Sequence, residues 1–307
     1  MTENALQYIR ACKLIIADSG GNGLDVSSLR IVFTVKKADA ETPNSAEIRV
    51  YNMAPETAAR IKKEFSRIIL QAGYESNFGT IFDGNIKQVR IGSENGTDTF
   101  IDIAAGDGDD AYNFAIVSQT LAAGSTQQQQ VQACADSFAQ HGTGAGYIGG
   151  DMTGTRLPRG KVMYGMARDY LRRSAATTGT SWSVQDGKLQ FVERGGLLPG
   201  QAVLLTSKSG LIGTPEQTND GIRATCLLNP LLKIGGKVKI DEESIMEARL
   251  PDSEGKDEVN KPASINADGL YRLLTVEHRG DTRGNEWHSE LVCLDVDETA
   301  PKGKQVK

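Results

Sequence analysis

The sequence predicts a mainly β chain, α+β overall, in which two β-barrel units flank a small α+β unit. Three observations carry that prediction. Apolar and polar residues alternate with period two towards both ends of the chain, the signal of strands with one wet face. Glycine is abundant, at 34 of 307 residues, and the hydrophobic share is 39 %, which suits many short strands and turns better than long helices. Sustained helical spacing of apolar residues is confined to the middle.

The first unit, residues 1–115, opens on a hairpin and a helix start within residues 29–53 and just beyond. Leu29, Ile31, Phe33 and Val35 alternate with Arg30, Thr34 and Lys36, with only Val32 out of step. Ala46, Ile48 and Val50 then alternate with Glu47, Arg49 and Tyr51, and Thr42-Pro43-Asn44 between the arms favours a turn. Pro55 suits a first helical position, where its missing N–H costs nothing, and Ala58, Ile61 and Phe65 fall on one helical face. Residues 67–74, 80–91 and 98–105 read as further strands, with turn chemistry at Asp83-Gly84 and Asn95-Gly96. Strands sharing one helix can close into a barrel, or pack as a sandwich, and so remove exposed edges.

In the second unit, residues 116–196, Val131, Cys134, Ala135 and Phe138 recur at helical spacing behind the capping residues Ser125 and Thr126. A glycine-rich connector at 142–154 precedes a second amphipathic helix marked by Met163, Met166, Ala167, Tyr170 and Leu171, ending before Gly179. A hairpin follows, with Trp182 and Val184 before a type I′ turn at Asp186-Gly187 and Leu189 and Phe191 after it. The third unit, residues 197–298, returns to strand signals at 202–206, 221–228, 237–240, 270–280 and 286–296. A second β-barrel is the economical reading. The charged stretch at about 241–268 reads as a long surface loop and 299–307 as a polar tail.

Composition narrows the function. A formal charge of -5 and a pI near 5.4 argue against a nucleic-acid reader, which needs a basic patch to neutralise phosphates. Cys12, Cys134, Cys226 and Cys293 lie far apart, with no metal or redox spacing, and read as reduced thiols packed like small apolar residues. No apolar run reaches the roughly 20 residues that span a bilayer, and no signal peptide pattern opens the chain, so a soluble protein made in the cytoplasm is expected.

Candidate chemistry is sparse. His278 and His288 flank a turn and, with Glu277 or Glu290, would offer a metal site only if they faced one another, which strand alternation opposes. His141 stands alone. Gly142-Thr143-Gly144-Ala145-Gly146 follows a helix instead of a strand and opens no helix, unlike a dinucleotide fingerprint, and reads as a flexible linker. Asp107, Asp109 and Asp110 lack the spacing of a calcium loop and read as a solvated strand end. No nucleophile elbow or phosphate loop occurs, so catalytic, cofactor-binding and metal-ligating residues are not expected.

Five ordered segments, residues 29–53, 70–86, 181–192, 209–240 and 269–294, together resemble the baseplate hub protein of contractile-tailed bacteriophages, itself similar to the hub part of type VI secretion spike proteins. The resemblance implies a homotrimeric ring in the virion's tail baseplate, assembled in the host cytoplasm. Each chain would supply two tube-like barrels. The ring would adapt a hexameric tail tube to a central spike protein, beside other baseplate proteins, and continue the channel for the genome and the tape-measure protein. DNA would pass without specific binding, which an acidic chain favours. The residues expected at contacts are architectural: Asn44 and Tyr51 in the opening hairpin, and Asp281, Arg283, Asn285 and Trp287 at a later hairpin tip. Strand-locking within the chain and contact with a neighbouring chain stay open for each. The alternatives are a tail-associated cell-wall hydrolase and a single-barrel tail-tube subunit, the latter leaving about half the chain unexplained.

Overall fold

The computed structural model describes residues 9–296, apart from 19, 151, 155, 241–244 and 247–267. Most of the expected 241–268 loop and the whole 299–307 tail lie outside the described residues.

The first elements are β1 (Arg10–Asp18), β2 (Gly23–Asp25), β3 (Ile31–Ala38), β4 (Ser45–Tyr51), α1 (Pro55–Glu64), β5 (Phe65–Tyr74), β6 (Asn77–Glu94), β7 (Asp98–Gly106) and α2 (Asp109–Phe114). The opening hairpin forms as its alternation requires. Ile31, Phe33 and Val35 are buried opposite Val50, Ile48 and Ala46. Pro55 starts α1, which buries Ala58 and Ile61, but Phe65 is already the first residue of β5. Asn95 and Gly96, with φ of 52° and 71°, make the tight turn between β6 and β7. Asp83-Gly84 is not a turn; it lies inside β6. Gly84 is there because a Cβ would stand 2.5 Å from the carbonyl oxygen of Gly106.

The middle of the chain holds β8 (Ile116–Leu121), α3 (Gln127–Ala139), β9 (Gly144–Ile148), β10 (Lys161–Met166), α4 (Ala167–Thr178), β11 (Thr180–Gln185) and β12 (Lys188–Glu193). Thr126 and Gln129 close a capping box on α3, satisfying two end N–H groups at once. Asp186 and Gly187 both adopt positive φ in the β11–β12 turn, as a type I′ turn demands. Two expectations change here. The second helix begins only at Ala167, because Met163 and Met166 belong to β10. The glycine connector contains β9, which pairs in parallel with β12, and Gly146 permits that approach since a Cβ would meet the Leu189 oxygen at 2.7 Å.

The remaining strands are β13 (Val203–Leu205), β14 (Leu211–Thr218), β15 (Gly221–Leu227), β16 (Lys237–Ile240), β17 (Leu270–Asp281) and β18 (Trp287–Asp295). The chain is mainly β, but the described strands do not close into two barrels. They form one 13-stranded sheet with the path β14-β15-β18-β17-β3-β4-β7-β6-β5-β1-β2, to which β16 and β13 attach beside β17. The reason lies in β17. One edge pairs with β18, while the other is divided between β16 at residues 270–272 and β3 at residues 275–281. That edge is spent on the neighbouring unit instead of on closure.

Three apolar cores follow this plan. One lies inside the curled β1–β7 sheet, one around α3, α4 and the β11–β12 hairpin, and one beneath β15–β18. Trp287 crosses between units. It sits on β18 yet is buried in the first core, edge-on to Phe33 at 5.6 Å, and donates its indole N–H to the carbonyl of Gly73 at 3.1 Å. Gly280, paired with Trp287, leaves room for both rings, since a Cβ would press the Phe33 ring at 2.3 Å. Trp287→Ala should therefore cost about 3–5 kcal/mol in urea unfolding, with Trp287→Phe recovering most of it; a loss within 1 kcal/mol for the alanine variant would show that the indole does not join the units.

Candidate functional site

The side chains that bind the three units together form two clusters, one charged and buried, one at the β17–β18 tip. In the first, Asp107 directly follows β7 and is fully buried. It accepts the backbone N–H of Asp186 at 2.7 Å and of Gly187 at 2.8 Å, so it holds the β11–β12 turn. This overturns the reading of Asp107 as a solvated strand end; its partners lie some eighty positions away and leave no local mark. Burial pushes its carboxyl up to about 7, against the pull of Lys37.

Asp186 in turn is ion-paired to Lys37 of β3 and to Lys233, the latter at 2.8 Å. Burial alone would raise the Asp186 pKa, but the two ammonium groups hold it down to about 2. Lys37 is itself buried, which lowers its pKa although Asp186 opposes the change. Lys233 also donates to the Thr80 carbonyl of β6, so it ties the segment before β16 to both β6 and the β11–β12 turn. Above this cluster His278 is fully buried on β17, with Nδ1 2.7 Å from the Ser289 hydroxyl oxygen. Burial, then Lys37 and Lys233, lower its pKa to about 3, so the ring is neutral.

Asn44 belongs to the same junction. Its amide donates to the Val184 carbonyl at 2.9 Å and to Gln185 Oε1 at 2.8 Å, while its oxygen accepts the Ala38 N–H at 3.0 Å. A second buried ion pair, Arg272 to Asp39 at 2.5 Å, runs parallel to it, and Ser181 donates to Asp39 at 3.0 Å. Single charged residues in alternating strands gave no sign of these pairings.

The second cluster contains the hairpin-tip residues. Asp281 accepts a forked pair of hydrogen bonds from Arg30, at 3.2 and 2.7 Å, and the backbone N–H of Arg283 at 2.9 Å. Arg283 is exposed and donates to the Ser28 carbonyl at 3.3 Å. Asn285 contributes only its backbone: Arg10 donates to the carbonyls of Gly284 and Asn285 at 2.7 and 3.2 Å. Tyr51 lies apart from the tip, at the end of β4, with its hydroxyl on Glu94 at 3.0 Å and the Arg30 guanidinium 4.8 Å over its ring.

The possible chemistry of these groups is structural. The pairing register sets His278 opposite Ser289 and Arg279 opposite His288, so the two histidines project from opposite faces. Among the described residues no group of three or more metal-ligating side chains converges. All four cysteines are free, and burial raises the thiols of Cys12, Cys134 and Cys226 to about 12, far from thiolate reactivity.

Two outcomes are expected. Asp186→Asn strands the Lys37 ammonium without its counter-ion and should cost about 3–5 kcal/mol, measured by urea unfolding; Lys37→Met combined with it should recover much of the loss. His278 binds its proton more weakly folded than unfolded, so its contribution is intact above pH 6.5 and lost as the pH falls towards 3. The stability difference between the wild type and His278→Gln should therefore shrink on acidification, with a slope of up to about 1.4 kcal/mol per pH unit, and a difference that stays flat from pH 8 to 4 would show that folding leaves the proton affinity of His278 unchanged. Asp107 works in the opposite sense, because its raised pKa means stability falls as the pH climbs towards about 7.

Comparison with known proteins agrees with a structural role. No curated protein sequence matches the chain. Its fold is similar to that of the 43 kDa tail protein of prophage MuSo2 from Shewanella oneidensis, at 8 % identity and a TM-score of 0.59, covering 94 % of this chain and 98 % of that one. It is also similar to a tail protein from Neisseria meningitidis MC58, at 11 % identity and a TM-score of 0.57, covering 94 % and 97 %. A third likeness is to the E. coli c3393 protein, described as a type VI secretion component with structural similarity to T4 bacteriophage tail proteins gp27 and gp5, at 9 % identity and a TM-score of 0.56 over 89 % and 76 %. The family model described as Baseplate hub gp41 matches residues 14–252, which is well over half of the sequence, and the chain belongs to that family of phage baseplate hubs.

Proposed function

We propose that the chain is the ring-forming hub of a contractile-tail baseplate, three copies of which join a hexameric tail tube to a central spike and continue the channel between them. The observation that supports this reading best is the wet face of the long sheet. In one row, His288, Arg279, Thr34, Glu47, Ala104 and Gln88 stand side by side on six consecutive strands drawn from both ends of the chain. A surface of this width, shared by two units of one chain, suits a wall that presents two similar segments per subunit to a six-fold partner. We further assign the division at 1–115, 116–196 and 197–298, which the three apolar cores support.

The charges on that face suit passage of DNA. Arg49 and Arg90 share Asp102 at 2.6 and 2.9 Å, and Arg279 lies 2.8 Å from Glu277. A guanidinium already paired to a carboxylate offers little to a passing phosphate, and retention falls accordingly. The virion and the host cytoplasm, as the places of residence and assembly, follow from the same reading. Native mass measurement tests it: trimers are expected, alone or with the spike protein, whereas hexamers or open polymers would favour a tube subunit, and a monomer that persists with its partners would overturn the ring.

A further inference from the structure

The small sheet of β8 and β10 carries a surface that the hub's internal contacts leave unused. Its inner face packs Val117, Leu121 and Met163 into the core around α3 and α4. Its outer face does the opposite. Ile116 is 56 % exposed, Val162 71 % and Tyr164 76 %. The register places Tyr164 beside Ser118, Val162 beside Thr120 and Met166 beside Ile116, so the apolar side chains share one side of the ribbon.

The two edges of the ribbon differ. The β10 edge is capped, because the Tyr170 hydroxyl accepts the Tyr164 N–H at 3.0 Å and donates to the Tyr164 carbonyl at 3.3 Å. The backbone of Tyr164 thus points away from β8. In an antiparallel ladder its partner Ser118 then points away from β10, as do Ile116 and Thr120 two residues to either side. The Ala167 N–H donates to Ala115, which fits this alternation. Among the described residues β8 has no second neighbour in its sheet, so three residues present outward N–H and C=O groups beside an apolar face.

Cations bracket this edge. Arg168 lies at its start, donating to the Tyr112 carbonyl at 2.9 Å. Arg159 lies at its end, exposed and adjacent to Gly160, which abuts the Leu121 carbonyl. The surrounding stretch is basic in an acidic protein: between positions 156 and 173 the sequence has six Lys and Arg against one Asp. A second copy pairing antiparallel through its own β8 would bring the Arg168 end of one chain to the Arg159 end of the other, like charge on like. An acidic strand meets no such repulsion.

We propose that the β8 edge is a docking site for an extended segment of a partner protein, which adds a third strand to β10–β8, lays apolar side chains on Val162 and Tyr164 and places carboxylates near Arg159 and Arg168. Three measurements test this, the first two independent of the hub reading. A short synthetic peptide alternating Val with Thr and ending in Asp should protect the amides of Ile116, Ser118 and Thr120 from hydrogen exchange. It should bind about tenfold more tightly than the same peptide ending in Lys, and equal binding or unprotected β8 amides would overturn the proposal. Ser118→Pro removes an outward N–H that no internal bond uses and should abolish peptide binding while leaving the circular dichroism and unfolding midpoint unchanged; unimpaired binding by a folded Ser118→Pro chain would overturn it. In assembled particles, a photocrosslinker at position 164 should react with a different polypeptide at an acid-flanked extended segment. A crosslink to another copy of this chain, or none, would overturn the assignment.

Discussion

The ladder between β3 and β17 is the constraint on which the rest of the molecule depends. Seven consecutive pairs, from Thr275 with Ala38 to Asp281 with Val32, fuse two β units into one sheet. The fusion brings Lys37 and His278 into one buried neighbourhood, sets Asp39 within reach of Arg272, and carries the β17–β18 tip to the opening of the first core. Each of these contacts would be meaningless in separate barrels.

The buried charges make sense in that setting. A Lys, two Asp and a His inside a protein are expensive, and replacing such a network with apolar groups is often stabilising. What the charges supply is geometric choice: Asp107 accepts two particular backbone N–H groups, and Asp186 accepts two particular ammonium groups. An apolar patch at the same junction would tolerate rotation of the β11–β12 turn against β3. Here the two turn N–H groups and the two ammonium groups each meet a carboxylate.

Much of the fold was legible in the sequence, for reasons that are local. The β3–β4 hairpin was visible through its alternation, α1 through Pro55, α3 through Thr126, and the β6–β7 and β11–β12 turns through Asn-Gly and Asp-Gly. β1 was hidden because Leu14, Ile15 and Ile16 run together and blur the period of two. β14 was hidden by Gly213 and Pro215, tolerable because it is the outermost strand of its sheet. Met163 and Met166 mimicked helical spacing although one fills the core from β10 and the other precedes α4. The junction itself was illegible beyond Asn44: Asp107 and Lys37 look like surface charges until residues more than seventy positions distant close over them. At the tip, Trp287 and Asp281 stood out by residue type, but which groups they would meet was set by the β3–β17 register.

The shared ladder also has a mechanical meaning. In the proposed baseplate a contracting sheath would load the parts at its end, and force applied along the strand direction would reach the β3–β17 hydrogen bonds in shear, where all of them must fail together. Two barrels joined by a linker would hinge under the same force. A chain joined through β17 would instead take that load as a single plate, with Trp287 as the pin between its two halves.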